Sequence, residues 1–171
     1  MGNELWKSYL RPRLDRFAPE YIMLHTFSHL FIRQLANECG YSTASLKEKI
    51  YSTFVDTEDS AKMHGILVYL ASSDCDGSLG GLVSIAENPD KLRFILENML
   101  RKAQWCSADP LCITSTEQGF HSLNYAACHD CVLLPETSCE FRNILLDRAS
   151  IIGTAEQRNL GVMGTMAEKL L

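Results

Sequence analysis

Two short stretches of the chain carry residue types that bind metal. In CSADPLC, Cys106 and Cys112 form a C-x5-C pair. Sixteen residues after Cys112, CHDC places Cys128 and Cys131 in a C-x2-C pair. Structural zinc is tetrahedral and is held by thiolates and imidazoles, and a C-x2-C turn lets two sulfurs reach one ion. Pro110 stiffens the looser pair, and the separation of the pairs falls in the range of two-knuckle zinc sites. Cys139 is a fifth candidate ligand, and His121 and His129 lie close enough in sequence to compete. The competing reading makes these cysteines small buried hydrophobes. It must then explain why five of seven cysteines fall within the 34 residues from Cys106 to Cys139. The expectation is one structural zinc on Cys106, Cys112, Cys128 and Cys131, with Cys139 in reserve. Four protein ligands leave no open position for a reacting water.

A second candidate is HTFSH, which puts His25 and His29 at i and i+4 on one face of a helix. The metalloprotease motif needs a Glu after the first His, and Thr26 stands there instead. The neighbours Leu24, Phe27, Leu30 and Phe31 favour a structural pair, hydrogen-bonded in the core or to a glycine turn. That turn is DGSLGGL, at Asp76–Leu82, placed between a strand and a helix like a phosphate-cradling loop. No Lys-Ser or Lys-Thr follows it and G-x-G-x-x-G is absent, so tight turning explains its glycines more simply. Cys39 and Cys75 read as ordinary thiols.

The elements that must position these groups follow from pattern. Residues 1–17 suggest a helix broken at Pro12. Tyr21 to Asn37 is apolar over most of a helix surface and so is buried on more than one side, with Gly40 suited to its C-terminal end. STASLKEKI predicts another helix, capped by Ser42 or Thr43, with Ser45 and Glu48 echoing a capping box. IYSTFV and GILVYLA predict strands. LVSIAEN predicts a short helix. Asn88 and Pro89 open a strong amphipathic helix whose stripe is Leu92, Ile95, Leu96, Met99, Leu100 and Ala103. From Cys106 to Cys139 periodicity is lost, and an irregular stretch of that length needs something to organise it. Helix is predicted again at EFRNILLDRA and in the stretch TAEQRNLGVMGTMAEKLL.

The chain has 171 residues, a net charge of −5 and a pI of about 5.5. Its size suggests one domain. The acidic balance disfavours a free-standing nucleic-acid binder. Arg11, Arg13 and Arg16, and then Lys91, Arg93, Arg101 and Lys102, read as solvated helix faces. No apolar run reaches the roughly 18–20 residues of a membrane span. The start, MGNELWKSYL, lacks a signal-peptide core and has Trp6 where myristoylation expects Ser or Thr. A cytoplasmic protein is expected, in which cysteines serve as thiols or metal ligands.

Five blocks occur in order: LHTFSHLFIRQLANECGYSTASLKEKIY, GILVYLASSDCDGSLGGL, WCSADPLC, AACHDC and LPETSCEFRNILLDR. Together they resemble the MrfA-like zinc-binding (MZB) domain family, in particular the version at the C-terminal end of DrmB-type proteins of DISARM anti-phage defence. The resemblance runs from about Tyr21 to Gly153. It implies that the two cysteine pairs carry the family's zinc, with a further cysteine often found where Cys139 falls. It also implies a DrmA-like helicase partner. The histidine pair and the glycine turn are family hallmarks to which no role is assigned. DrmB-type proteins are longer, and the chain has no Walker A motif, so it is a stand-alone subunit, a natural split or a fragment.

The expected fold is α+β, mostly helical, with a short β-ribbon and a zinc-organised irregular segment. One MZB-like domain spans 1–171, with 1–20 and 154–171 as helical appendages. The expected function is a non-catalytic zinc-binding accessory module of a helicase-associated DNA-processing complex, reaching DNA through that complex. Two alternatives remain. One is an enzyme whose site joins His25, His29 and the Asp74–Gly81 turn, including Gly80 and Gly81. The other is direct DNA binding through Lys91, Arg93, Arg101 and Lys102.

Overall fold

A computed structural model of the chain describes residues 19–52, 63–71 and 80–170. The expected helix over residues 1–17, Arg11, Arg13, Arg16, the end of the first predicted strand, Cys75 and most of the glycine turn lie outside the described residues. Those described form five α-helices and one two-stranded antiparallel ribbon. The fold is therefore α+β and mostly helical.

Helix α1 spans Pro19–Cys39 and is central. It contacts the ribbon and two of the other helices. As its all-round apolar pattern requires, it is buried on several sides. Leu30 enters one core cluster and Ile32, Leu35 and Ala36 another, while Tyr21 lies in a third. Gly40 ends it at φ +74°, where a side chain is disfavoured, and its amide donates to the Ala36 carbonyl at 3.0 Å.

The next segment departs from expectation. STASLKEKI was predicted helical from its Ser, Lys and Glu content, yet strand β1 covers Leu46–Ser52. It pairs with β2, His64–Leu70, in a register that sets Leu46 opposite Leu70 and Ile50 opposite Ile66. The hydroxyls that suggested a cap close a turn instead: Ser45 Oγ donates to the Ser42 carbonyl at 2.7 Å. Strand alternation then buries Leu46, Glu48 and Ile50 together. Helix propensity is a weak prior, and burial of this face against α1 overrides it.

Helix α2 spans Gly80–Ala86 and α3 spans Pro89–Ala103. Asn88 caps α3, its Oδ1 accepting from the amides of Asp90 and Lys91 at 3.0 and 3.2 Å. The predicted stripe faces inward, with Ile95, Met99, Leu100 and Ala103 buried. From Cys106 to Cys139 no helix forms beyond one 3-10 turn at Phe120–Ser122, as the lost periodicity implied.

EFRNILLDRA is not a helix over most of its length. Arg142, Asn143 and Leu145 have φ of +53°, +58° and +63°, which an α-helix cannot accommodate. Their neighbours are satisfied locally instead. Asn143 Oδ1 accepts from the Leu134 amide at 3.0 Å, and its Nδ2 donates to the Leu134 carbonyl at 2.7 Å. Helix begins only at α4, Ala149–Ile152.

The C-terminal stretch holds a 3-10 turn, Arg158–Leu160, and helix α5, Gly164–Glu168. It is packed into the main core rather than trailing from it. Ala167 is fully buried beside Leu100, Ala103 and Ile151, and its carbonyl accepts from Gln104 Nε2 at 2.6 Å. A Cβ at Gly164 would stand 1.7 Å from the Arg158 carbonyl oxygen. Gly164→Ala is therefore expected to destabilise the whole domain, by about 3 kcal/mol, as a lowered urea midpoint in one cooperative transition.

Candidate metal centre

Each cysteine pair is shaped by a charged residue outside it. The first follows directly on α3. Asp109 accepts from the Cys106 amide at 3.0 Å and the Ile113 amide at 3.1 Å, while the Cys112 amide donates to the Ala108 carbonyl at 2.9 Å. These bonds wind Cys106–Cys112 into one compact turn, through a cis peptide at Asp109–Pro110. Arg148, fully buried, holds the turn from behind. It donates to Asp109 Oδ1 at 2.5 Å and to the Ala103 carbonyl at 3.0 Å.

In the second pair, the amides of Cys131, Val132 and Leu133 converge on the Cys128 carbonyl at 3.3, 3.0 and 3.1 Å. The Cys128 amide donates to Cys131 Sγ at 3.3 Å. Arg33 of α1 covers the outer carbonyls. It donates to His129, Leu133 and Asp130 oxygens at 3.2, 2.9 and 2.9 Å. Ser107 Oγ donates to Asp130 Oδ2 at 2.5 Å and ties the two loops together.

The result brings the sulfurs of Cys106, Cys112, Cys128 and Cys131 within 4.8 Å of one another. Cys106–Cys128, Cys128–Cys131 and Cys112–Cys131 are 3.4, 3.6 and 3.7 Å apart. A regular zinc–sulfur tetrahedron has edges of about 3.8 Å, so the donor set fits zinc in number, type and size. Burial pushes the Cys112 thiol up to about 11 and raises Cys131 further. At Cys128 burial also raises the thiol, but hydrogen bonds from Cys106 and from the Cys131 and Asp130 amides outweigh it and bring it below its ordinary value. Neither His121 nor His129 belongs to this group of ligand atoms.

Cys139 stands elsewhere. Its sulfur joins His25, His29 and Glu48 in a second, fully buried group whose ligand atoms also lie within 4.8 Å of one another. His25 Nε2 is 3.0 Å from Glu48 Oε1 and 3.2 Å from Cys139 Sγ. His29 Nε2 is 3.2 Å from the same Glu48 oxygen, and its Nδ1 is 3.1 Å from the Val132 carbonyl. Burial lowers the His29 imidazole. Burial, then the charge of Glu48, pushes the Cys139 thiol up to about 12. Thr26, standing where a hydrolase would need Glu, is structural. Its Oγ1 donates to the Ile22 carbonyl at 2.7 Å and accepts from the Asp147 amide at 2.9 Å.

Sequence reasoning paired the histidines but missed Glu48, which it placed in a helical cap. The signal was the alternation of Leu46, Glu48 and Ile50. Of the glycine turn, Gly80 and Gly81 open α2. Gly81 packs at the far end of α1, where an added Cβ would lie 3.0 Å from Tyr41 Oη and 3.3 Å from Cys39 Cβ. Cys39 is ten residues along α1 from His29, or about 15 Å. Gly81 and the histidine pair are thus not one site. The rest of the turn lies outside the described residues.

The model of the MrfA Zn-binding domain family, MZB, matches residues 27–132. The chain belongs to this family, and zinc is its metal. The matched stretch contains all four clustered thiols, His29 and Glu48, while His25 and Cys139 fall outside it. Among curated relatives is the DISARM protein DrmB of Bacillus paralicheniformis, 42% identical over 138 residues. The alignment takes in 81% of this chain and 23% of that protein, so the chain spans less than a quarter of its relative's length.

Arg33 and Asp109 shape the thiol turns without being ligands, and second-layer partners of a metal site are worth about 10–100-fold in affinity. Arg33→Met and Asp109→Asn are each expected to weaken zinc binding by about that factor, read by competition with a chromophoric chelator. Arg93→Met, on the exposed face of α3, is expected to leave it unchanged.

Proposed function

We propose that the chain is a non-catalytic zinc module that docks onto the helicase of a DISARM-type anti-phage defence complex. Its zinc is held by Cys106, Cys112, Cys128 and Cys131. The observation that carries this reading is the closed set of four mutually facing sulfurs. Such a set ties two turns together and keeps no coordination position for water. The 42% identity to a DISARM protein supports the setting, and the helicase partner is the DrmA-like one that the family resemblance implies.

Large apolar side chains on the metal loops support a docking role. Trp105 and Leu111 precede Cys106 and Cys112 and are 67% and 81% exposed. Phe120 and Tyr125 are exposed on the loop between the two pairs. Exposed apolar groups gathered on one segment suit a protein partner. No described helix is long and apolar enough to cross a membrane, which accords with a cytoplasmic complex.

The two other readings have weaker support. His25 and His29 are both 0% exposed, so neither imidazole reaches solvent or a substrate. Of the basic residues on α3, Arg93 lies across the helix from Lys91 and Lys102 at about 100° per residue. Arg93 also donates to Glu97, and Arg101 to the Leu170 carbonyl. They do not form one stripe for a phosphate backbone. Binding to DNA through them would have to fall steeply with rising salt.

The purified chain is expected to show no ATPase or nuclease activity, and to co-purify with the helicase subunit when the two are co-expressed. Trp105→Ser with Leu111→Ser is expected to weaken that association more than tenfold while leaving zinc content unchanged. ATP hydrolysis or DNA cleavage by the isolated chain, abolished by one substitution within it, would overturn the proposal.

A further inference from the structure

We propose that His25, His29, Glu48 and Cys139 form a second zinc site, closed and structural, independent of the four-thiol centre. The argument begins with hydrogen bookkeeping at His29. Its Nδ1 faces the Val132 carbonyl at 3.1 Å, and a carbonyl only accepts, so Nδ1 carries the hydrogen. In the neutral imidazole Nε2 is then a bare lone pair. It points at Glu48 Oε1 from 3.2 Å, and that oxygen is also an acceptor. Two acceptors facing each other in a sealed core require a cation or a proton between them.

A metal satisfies the remaining contacts better than a proton does. His25 Nε2 faces Glu48 Oε1 and Cys139 Sγ, at 3.0 and 3.2 Å. One ring nitrogen has one lone pair or one hydrogen, and it cannot serve two partners fully. A central ion draws all four donor atoms at once. With zinc–nitrogen and zinc–oxygen bonds of about 2.0–2.1 Å and a zinc–sulfur bond of about 2.3 Å, tetrahedral edges are about 3.3–3.6 Å. The observed 3.0–3.2 Å separations need only a few tenths of an ångström of expansion.

The surroundings are those of a metal ligand shell. A metal-bound imidazole usually donates its other ring hydrogen to a carbonyl or carboxylate, as His29 does to Val132. Cys139 Sγ accepts from the Phe141 amide at 3.2 Å and the Asn143 amide at 3.1 Å. Positive φ at Arg142, Asn143 and Leu145 belongs to the turn that aims those amides, and such conformations persist only where the surroundings enforce them. Two inward amides suit a thiolate. With Glu48 and Cys139 both ionised, a divalent cation leaves the buried group neutral. Two imidazoles, one carboxylate and one thiolate match zinc, with no open position.

The experiment counts zinc in the whole chain, purified without added metal and then dialysed against excess zinc, by elemental analysis and native mass spectrometry. Two per chain are expected. Glu48→Gln, His29→Gln and Cys139→Ser should each leave one, and Cys112→Ser should leave the other. Zinc X-ray absorption on the unaltered chain needs no variant to fold. It should show about five sulfurs to three nitrogen or oxygen donors across the two ions. One zinc with a sulfur-only shell, unchanged in Glu48→Gln, would overturn the second site and leave the four-thiol reading standing. One zinc with a mixed shell, retained in Cys112→Ser, would support the second site and overturn the four-thiol reading. No zinc at all would overturn both.

Discussion

Backbone carbonyls in a tight C-x2-C turn must find donors once the turn is packed against a core, and helix α1 supplies them. Arg33 donates to the carbonyls of His129, Asp130 and Leu133, and His29 to that of Val132. Two positions on each side of Cys131 are thus read by two side chains one helical turn apart. The Val132 carbonyl is buried, and leaving such a group unsatisfied costs about 1–3 kcal/mol, so the turn and the helix stabilise each other. This contact accounts for the buried His29 on α1, while His25 and Thr26 find partners elsewhere.

The other cysteine turn depends on an ion pair between a buried guanidinium and a half-buried carboxylate. Arg148 is fully buried, and burial alone would lower its guanidinium; the Asp109 carboxylate reverses this and holds it above its ordinary value. Removing Asp109 would leave the buried Arg148 charge uncompensated, which is strongly destabilising. Here the pair also sets the direction of two thiols. Arg148 begins the last helical segments, so the C-terminal part of the chain and the metal loops are coupled through one guanidinium. Cys112 and Cys131 lie in the same apolar cluster as Leu30, Met99 and Ile152. These thiols are core residues as well as members of the candidate ligand set.

The two groups of metal-type residues share the 128–133 turn. Cys131 faces the four-thiol side, and the Val132 carbonyl next to it faces His29. The two groups have this turn in common but no ligand.

Elements whose signals are local could be read from the amino-acid order alone. The apolar length of α1, the Asn88-Pro89 start of α3 with its inward stripe, and the irregular cysteine segment were all legible, because each follows from spacing or a capping side chain. The grouping of Cys106 and Cys112 with Cys128 and Cys131 was legible too, since thiol chemistry at close spacing has few other uses. Where local preference and burial disagreed, packing settled the place of the polar residues. LKEKI has helix-forming residues, but burying Leu46 and Ile50 against α1 made it a strand and carried Glu48 inward to the histidines. EFRNILLDRA has a helical composition, but the amides of Phe141 and Asn143 are drawn to Cys139 Sγ, and the Asn143 side chain to Leu134. Glu48 meets His29 from 19 residues away, so no short window holds both sides of that competition; the bonds to Cys139 Sγ are local, but they depend on a positive-φ backbone that composition does not report.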